Sequence, residues 1–262
     1  MIKLKRYSII TLILLVIFFY FLICKNLTVE KFDNNTNIKI LCINLDKAKD
    51  RWNKVNKKFN KLGFTIERFP AINGKEVKYE EYKDLVKLEY NTDLNAQCDS
   101  KTKPGLTLKL SPGEIGCNLS HCKIWQKMVN ENINKCMVIE DDIVPYDNLK
   151  NYNKYLDKVP KNWDLVYISF INTGKKNIIN KEIYKPTCGF STSGYILNLK
   201  GAKKLLKFIP MEGSTDIFLL NLFKNNYINA YVIDGVCDSS NTWGGNDSAI
   251  EHSSRNIGKY KV

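Results

Sequence analysis

The chain has 262 residues, enough for one sizeable core, and 44% of them are hydrophobic, an ordinary value for a globular protein. Its formal net charge is +13 at pH 7, but the excess cations are spread along the chain without a basic, aromatic-interleaved helix or an RNA-binding motif. Composition therefore argues against a nucleic-acid-binding protein, although a mild positive field would attract an anionic small molecule.

The chain begins with a short basic segment followed by an apolar run. Residues 7–24 carry no charge, and as a helix they would be roughly 27 Å long, close to the thickness of a thin bilayer. A cleaved signal peptide is the alternative, but residues 21–24 show no small-residue cleavage pattern. We therefore predict an uncleaved signal anchor. The predicted organisation is a cytosolic N-terminus at 1–6, a transmembrane helix at 7–24, a polar stem at 25–37 and a folded domain at 38–262.

The charges before this segment predict its orientation. Lys3, Lys5 and Arg6 should remain cytosolic, which makes the chain a single-pass type II membrane protein. The folded domain would then lie in the ER or Golgi lumen of a eukaryotic or virus-infected cell, whereas a bacterial protein would sit in the inner membrane. Glycosylation sequons agree with a lumen but also arise by chance in Asn-rich chains; they lie at Asn26, Asn34, Asn118 and Asn246.

The eight cysteines define no clear disulfide framework. Cys24 falls in the apolar run, which leaves an odd number, and no pair of CxxC motifs predicts zinc. Cys42 and Cys136 lie in predicted core strands, where cysteine acts as a small apolar residue. In an oxidising lumen Cys188 could pair with Cys237.

The folded domain opens with a strand, a helix and a second strand. Ile38–Asn44 is an apolar run of strand length, Asp50–Leu62 is a helix that ends at Gly63, and Phe64–Phe69 is the next strand. This βαβ order predicts an α/β fold with a mainly parallel, Rossmann-like sheet and right-handed crossovers.

The loop after the first strand is a candidate ligand site, because open α/β sheets bind ligands beyond the carboxyl ends of their strands. Asn44 and Asp46 are predicted to contact a nucleotide base or ribose. Arg51, near the start of the following helix, could reach a diphosphate, or it could be an ordinary helix-surface cation.

The stretch from 78 to 110 is polar and has few clear signals. Tyr79–Tyr90 is predicted to be a helix, and Asn91–Gly105 a loop with a Pro-Gly break. Long loops above strand ends often bind or cover substrates, so this stretch is the candidate acceptor lid.

A long helix is predicted to begin at Ser111. Ser111 caps it, Pro112 fits its first turn, and Glu114 completes a capping box. Glu114, Asn118, His121 and Trp125 share one face. The neighbouring stripe is apolar and consists of Ile115, Leu119, Cys122, Val129 and Ile133.

Three acids follow directly on the next strand, Cys136–Ile139. Crowded carboxylates at a buried strand end repel one another and resist desolvation. Because side chains alternate, Glu140 and Asp142 should point one way and Asp141 the other. The two acids on one side suit a hard dication such as Mn²⁺ or Mg²⁺, although a solvated acidic turn is the simpler alternative.

The second half of the domain is predicted to alternate helices and strands. The predicted elements are a surface helix at Tyr146–Val159, strands at Trp163–Ser169, Gly189–Leu199 and Asn229–Ile233, and helices at Lys200–Phe208 and Thr215–Lys224. Ser214 or Thr215 can cap the last helix, where Asp216 in the first turn has an adequate structural explanation. His252, in the polar tail, could be a late metal ligand but is more simply a solvated histidine.

Several segments together resemble glycosyltransferase family 25, which includes bacterial lipooligosaccharide galactosyltransferases and animal collagen hydroxylysine galactosyltransferases. The motifs occur in the family's order: INLDKAKDRW (43–52), RFPAINGKEV (68–77), GEIGCNLSHCKIW (113–125), VIEDD (138–142), GYILNLKGAKKLL (194–206) and TDIFL (215–219). Six ordered segments are more specific than one acidic triplet.

The resemblance implies a GT-A fold and an inverting, metal-dependent transfer of a hexose, galactose first among them, from a UDP-sugar to a hydroxyl of a glycan or a hydroxylysine-type protein acceptor. Glu140 and Asp142 would hold the metal, and Asp216, which matches the family's Asp before Phe-Leu, would be the general base. Asn44, Asp46, Arg51, Glu140 and His121 are the predicted donor-binding residues. The alternative is a membrane-anchored binding protein that keeps the fold without catalysis.

Overall fold

The structure, a computed structural model, describes residues 38–239. We number its elements in chain order. The helices are α1 Lys49–Lys61, α2 Tyr79–Tyr82, α3 Asp93–Ala96, α4 Pro112–Asn130, α5 Tyr152–Leu156, α6 Leu199–Leu206 and α7 Thr215–Lys224, with a 3₁₀ turn at Asp147–Asn151. The strands are β1 Lys39–Asn44, β2 Glu67–Pro70, β3 Glu89–Asn91, β4 Thr107–Lys109, β5 Lys135–Glu140, β6 Ile143–Pro145, β7 Leu165–Asn172, β8 Lys176–Ile178, β9 Ile183–Pro186, β10 Gly189–Asn198, β11 Ala230–Ile233 and β12 Cys237–Ser239.

An eight-stranded sheet in the order β2-β1-β5-β10-β7-β11-β9-β8 forms the centre of the described domain. The α/β class is as predicted, and the sheet is mixed, with six of its eight strands running in the same direction. Three neighbouring pairs are parallel, β1–β2, β1–β5 and β7–β11, and the other four pairs are antiparallel. Strands β9 and β10 run antiparallel to the other six strands of the sheet, and β10 lies between β5 and β7.

The sheet is covered on both faces, and the side chains of β1 show how. Leu41 and Ile43 belong to a core that includes residues of α4, α6 and α7. Ile40 and Cys42 alternate with them and pack in a second core with α1 and α5. Alternation along one buried strand therefore supplies two cores, which gives a three-layer arrangement.

Several local predictions are confirmed. Helix α1 ends one residue before the predicted boundary, and Gly63 follows it with a φ of +82°, a conformation that glycine adopts easily. The capping box of α4 is present, with Ser111 and Glu114 each accepting the other's backbone N–H. Helix α7 has the predicted bounds.

Two predicted helices are shorter than expected, because their apolar residues are buried by tertiary packing. The stretch 79–90 is helical only in α2; Val86 instead makes a bridge to Met211, and Tyr90 lies in β3. The stretch 146–159 divides into a 3₁₀ turn and α5, and it is not a surface helix, since Leu149 and Leu156 are buried.

The predicted disulfide is different from the one in the structure. Cys188 is bonded to Cys98, from the 78–110 stretch, and Cys237 is a buried free thiol in β12. Spacing could not reveal this pair because it joins positions 90 residues apart.

The predicted anchor (7–24), the stem, three of the sequons (Asn26, Asn34 and Asn246) and His252 lie outside the described residues. Between residues 38 and 239, the helices are all too short or too polar to cross a bilayer. The remaining sequon, Asn118, is fully buried in α4.

Candidate functional site

The three acids emerge at the centre of the sheet. Strand β5 lies between β1 and β10, and its last residue, Glu140, is in register with Ile43. Asp141 and Asp142 form the turn into β6. The strand is buried as far as the residue before Glu140, so the three acids lie at the boundary of a low-dielectric region.

Asp141 faces β1 and α1, where two of the predicted donor-binding residues contact it. The Asn44 amide donates to Asp141 Oδ2 at 2.6 Å, and the Arg51 guanidinium lies 3.1 Å from the same oxygen. Burial raises the pKa of Asp141, although Asn44 and Arg51 oppose the shift. Arg51 is therefore an ion-pair partner at the site rather than a free surface cation.

Arg68, which we did not predict from sequence, joins this group. Its Nε donates to Asn44 Oδ1 at 2.7 Å, and a terminal nitrogen lies 2.5 Å from Asp46 Oδ1. The Asp46 side chain is 83% exposed, so this part of the site is open to solvent. The sequence could have indicated Arg68, because the predicted βαβ unit places its second strand, which carries Arg68, beside the first.

Glu140 faces the other way, toward α4 and β10. Its Oε1 accepts from the Thr192 hydroxyl at 2.6 Å and lies 3.2 Å from His121 Nε2. Burial opposes ionisation of Glu140, but the hydrogen bonds from His121 and Thr192 and the charge of Arg51 favour it, and the pKa of Glu140 lies below its ordinary value. The separate partners of Glu140 and Asp141 confirm that the two acids point apart.

His121 is fully buried behind Glu140. Its Nδ1 lies 2.8 Å from the Tyr195 hydroxyl, to which the Trp125 indole N–H donates at 3.0 Å. Both ring nitrogens thus already have protein partners. A direct contact of His121 with a donor remains a prediction.

Asp142 has a different environment from its two neighbours. Its Oδ1 is buried and has no hydrogen-bond partner among residues 38–239. Burial, with the negative charges of Glu140 and Asp141, raises the pKa of Asp142 to about 7. A buried carboxylate oxygen that lacks a partner among these residues and lies beside two more acids suits a hard dication with oxygen ligands. The Mn²⁺ or Mg²⁺ site itself stays a prediction.

A second group of candidate ligands overlaps this one. One ligand atom each from Cys117, His121 and Glu140 lies within 4.8 Å of the others. Burial and the Glu140 carboxylate raise the pKa of the Cys117 thiol, with a smaller contribution from Asp216. The thiol therefore resists the deprotonation that metal binding requires.

Asp216 lies at the start of α7, and buried polar contacts attach this helix start to α4. The Thr215 hydroxyl donates to Asn118 Oδ1 at 2.7 Å, and the Asn118 amide donates to the Gly213 carbonyl at 2.9 Å. The Ser214 hydroxyl donates to Asp216, so neither predicted side-chain cap is formed. The Thr215 hydroxyl lies 3.6 Å from the Cys117 sulfur, which is within 4.8 Å of a carboxylate oxygen of Glu140, so the start of α7 lies near the Glu140 end of the sheet.

Close backbone packing fixes the start of α4. A side chain at Gly116 would lie 2.4 Å from the Ile72 carbonyl, and one at Gly74 would lie 1.7 Å from the Pro112 carbonyl. Ser120 accepts from the Ile72 N–H at 2.9 Å. The 68–77 and 113–125 motifs therefore pack directly on each other, and only glycine allows this approach.

The predicted acceptor lid is attached to the strand that carries Thr192. The lid contains the β3–β4 pair and α3. Its Cys98, which follows α3, is bonded to Cys188, immediately before β10. Strand β10 then has an irregular register between Phe190 and Gly194. This bulge turns Thr192 toward Glu140.

The family model described as Glycosyltransferase family 25 (LPS biosynthesis protein) matches residues 37–218. A glycosyltransferase 25 family member of Aedes aegypti is 34% identical over 199 residues, which cover 71% of this chain and 31% of that protein. Human procollagen galactosyltransferase 2 is 27% identical over 194 residues, covering 66% and 29%. The chain spans about a third of the length of these relatives.

Among solved structures, a glycosyltransferase involved in the glycosylation of the major capsid of PBCV-1 matches with a TM-score of 0.44 and 10% identity. The match covers 80% of this chain and 94% of that one.

Proposed function

Because this chain belongs to glycosyltransferase family 25, we propose that it transfers a hexose from a UDP-sugar to a hydroxyl of a glycan or a collagen-like protein, with inversion at the anomeric carbon. Galactose is the first candidate, since a relative is named a procollagen galactosyltransferase. The proposed fold is the GT-A type, in line with a covered α/β sheet whose acids lie at a central strand end. The observation that carries the proposal is the buried oxygen of Asp142 beside Glu140, which has no hydrogen-bond partner within residues 38–239.

Glu140 and Asp142 would hold Mn²⁺ or Mg²⁺. Such an ion would neutralise part of the negative charge that develops on the diphosphate leaving group, and it would orient the donor. Asp141 would not be a ligand in this proposal, because Asn44 and Arg51 already contact it.

The network around β1 would bind the nucleotide. Asn44 and Asp46 lie at the carboxyl end of β1 and would contact the base or ribose, while Arg51 and Arg68 provide guanidinium groups for the phosphates. Arg68 is 30% exposed and pairs with the open Asp46, so an incoming phosphate can replace a surface contact.

Asp216 would act as the general base. Its carboxylate takes the proton of the acceptor hydroxyl while the oxygen forms a bond to the anomeric carbon, and the bond from that carbon to the phosphate oxygen breaks. The products are the glycosylated acceptor and UDP. The stretch 78–110 would cover the acceptor, since its disulfide ties it to the strand beside Glu140.

We place this reaction in the lumen of the secretory pathway for a eukaryotic or viral protein, with residues 7–24 as the anchor. The Cys98–Cys188 disulfide supports an oxidising compartment. Protease protection of the C-terminus in microsomes tests the orientation, and full digestion without detergent would contradict it.

UDP release by the full chain in detergent is the direct test. The chain would be incubated with UDP-galactose and Mn²⁺, then with a panel of other nucleotide sugars. We expect metal-dependent UDP release that EDTA abolishes and an acceptor increases. Binding of UDP without release from any donor would instead identify the inactive binding protein. Calorimetry that detects no uptake of Mn²⁺ or Mg²⁺, with or without UDP, would contradict the metal site.

A further inference from the structure

A buried tyrosine hydroxyl connects two aromatic residues of α4 and β10. The Trp125 indole nitrogen lies 3.0 Å from the Tyr195 oxygen, and an indole N–H can only donate a hydrogen bond. The Tyr195 oxygen is therefore the acceptor of this bond. Both side chains are fully buried, so water does not enter the arrangement from bulk solvent.

The proton of this hydroxyl needs an acceptor of its own. Within the described part of the chain, the other partner of Tyr195 is His121 Nδ1, at 2.8 Å. A buried hydroxyl without an acceptor is costly, so the Tyr195 proton points at Nδ1. Nδ1 is then the acceptor of this bond, and the ring proton is on Nε2.

We propose that Tyr195, oriented by Trp125, turns His121 so that its Nε2–H faces Glu140, and that His121 is a positioning residue for Glu140. Its Nε2–H donates to Glu140 Oε1, which also accepts from Thr192. One carboxylate oxygen is thereby occupied by two protein donors. Oε2 is left for the cation, with the plane of the carboxylate fixed.

This assignment excludes the cluster of Cys117, His121 and Glu140 as a metal site in the resting protein. An Nε2 that carries a proton has no lone pair for a metal. Binding a metal there would move the proton to Nδ1, which would break the bond from Tyr195. The raised pKa of the Cys117 thiol acts in the same direction.

Nitrogen NMR of the histidines tests the tautomer directly. The chain has 2 histidines, so full-length protein labelled with ¹⁵N-histidine in detergent gives two ring systems, and a His252→Ala variant assigns them. We expect His121 to show a protonated Nε2 and an unprotonated Nδ1, unchanged by equimolar Zn²⁺. A protonated Nδ1 or a zinc-induced change at Nε2 would overturn the proposal.

Turnover of matched variants tests the consequence for Glu140. Tyr195→Phe should lower metal-dependent turnover by about 10- to 100-fold, the usual range for partners of ligating residues, with the KM for the donor nearly unchanged. Tyr184→Phe is the control, since it removes the hydroxyl of another buried tyrosine side chain, in β9. Equal effects of both substitutions would indicate general destabilisation and contradict the proposal.

Two substitutions of His121 test whether the hydrogen bond donated at the position of Nε2 is the important contact. Glutamine can place an N–H near the position of Nε2, whereas asparagine reaches only the position of Nδ1. His121→Gln should therefore retain about ten times the turnover of His121→Asn. Equal loss in both would show that the Nε2–H bond is not the important contact.

The catalytic consequence rests on the proposed function, but the tautomer does not. If the wild-type chain releases no UDP from any donor, the proposed function fails while the NMR assignment can still hold. If turnover is normal and NMR finds a protonated Nδ1, only this inference fails.

Discussion

The two sides of the acidic strand end differ in how their polar groups are held. On the β1 side, four charged side chains are linked through one amide; the members are Asn44, Asp46, Arg51, Arg68 and Asp141. The side chains of Arg51 and Arg68 are 27% and 30% exposed. On the β10 side, hydrogen bonds run from Trp125 through Tyr195 and His121, all fully buried, to Glu140, which also accepts from Thr192. We call these the β1-side network and the β10-side chain.

This difference separates binding from orientation. The Arg68–Asp46 pair is partly exposed, and such pairs contribute roughly 0–1 kcal/mol each, so a phosphate can replace it at little cost. Buried hydrogen bonds cannot be exchanged so easily, because an unpaired group costs about 1–3 kcal/mol. The β1-side network should therefore govern donor affinity, and the β10-side chain should govern the geometry of Glu140.

The largest effect is expected at Asp216, whose helix start is attached to α4 on the buried side. Asp216→Asn removes the proposed base and should lower turnover by about 10²- to 10⁴-fold, while UDP binding is retained. Initial rates and calorimetry with UDP measure the two quantities. Near-normal turnover would show that Asp216 is not the base.

Asp142→Ala should be next in size. Loss of a predicted metal ligand should lower turnover by about 100-fold or more and remove its dependence on Mn²⁺. Asp147→Ala is the control, because Asp147 is an exposed acid only a few residues along the chain. Equal rates in both variants would contradict the assignment of Asp142.

The raised pKa of Asp142 predicts how the stability of the metal-free protein changes with pH. Its pKa rises from 3.8 to about 7 on folding, so its ionisation destabilises the fold increasingly as pH rises through this interval. Asp142→Asn should therefore stabilise metal-free protein more at pH 8 than at pH 5, by on the order of 2 kcal/mol in the free energy of unfolding. Urea unfolding in EDTA measures this difference. The same gain at both pH values would mean that Asp142 is not desolvated.

The smallest effect is expected in the β1-side network. Arg68→Lys keeps the charge but loses the forked contacts, so the KM for the UDP-sugar should rise about tenfold with turnover at saturation nearly constant. Steady-state kinetics over a range of donor concentrations measures both values. A fall in turnover without a change in KM would show that the two sides do not divide binding from orientation.

Sequence patterns were sufficient where the cause is local. The capping box at Ser111 and Glu114, the glycine after α1 and the strand β5 followed by its acids were predicted because caps, positive φ and apolar runs depend on neighbours in the chain. The alternation that sends Glu140 and Asp141 apart has the same local origin. The motifs also indicated the family, which the family model confirms.

The tertiary structure decided which distant residues meet. The bond from Thr192 to Glu140 spans 52 positions, the Cys98–Cys188 disulfide spans 90, and the contact of Tyr195 with His121 spans 74. No local pattern encodes these pairs, because they depend on β10 lying antiparallel between β5 and β7 with a bulge beside the site. The same packing buries the apolar residues of 79–90 and prevents the longer helix that their spacing predicts.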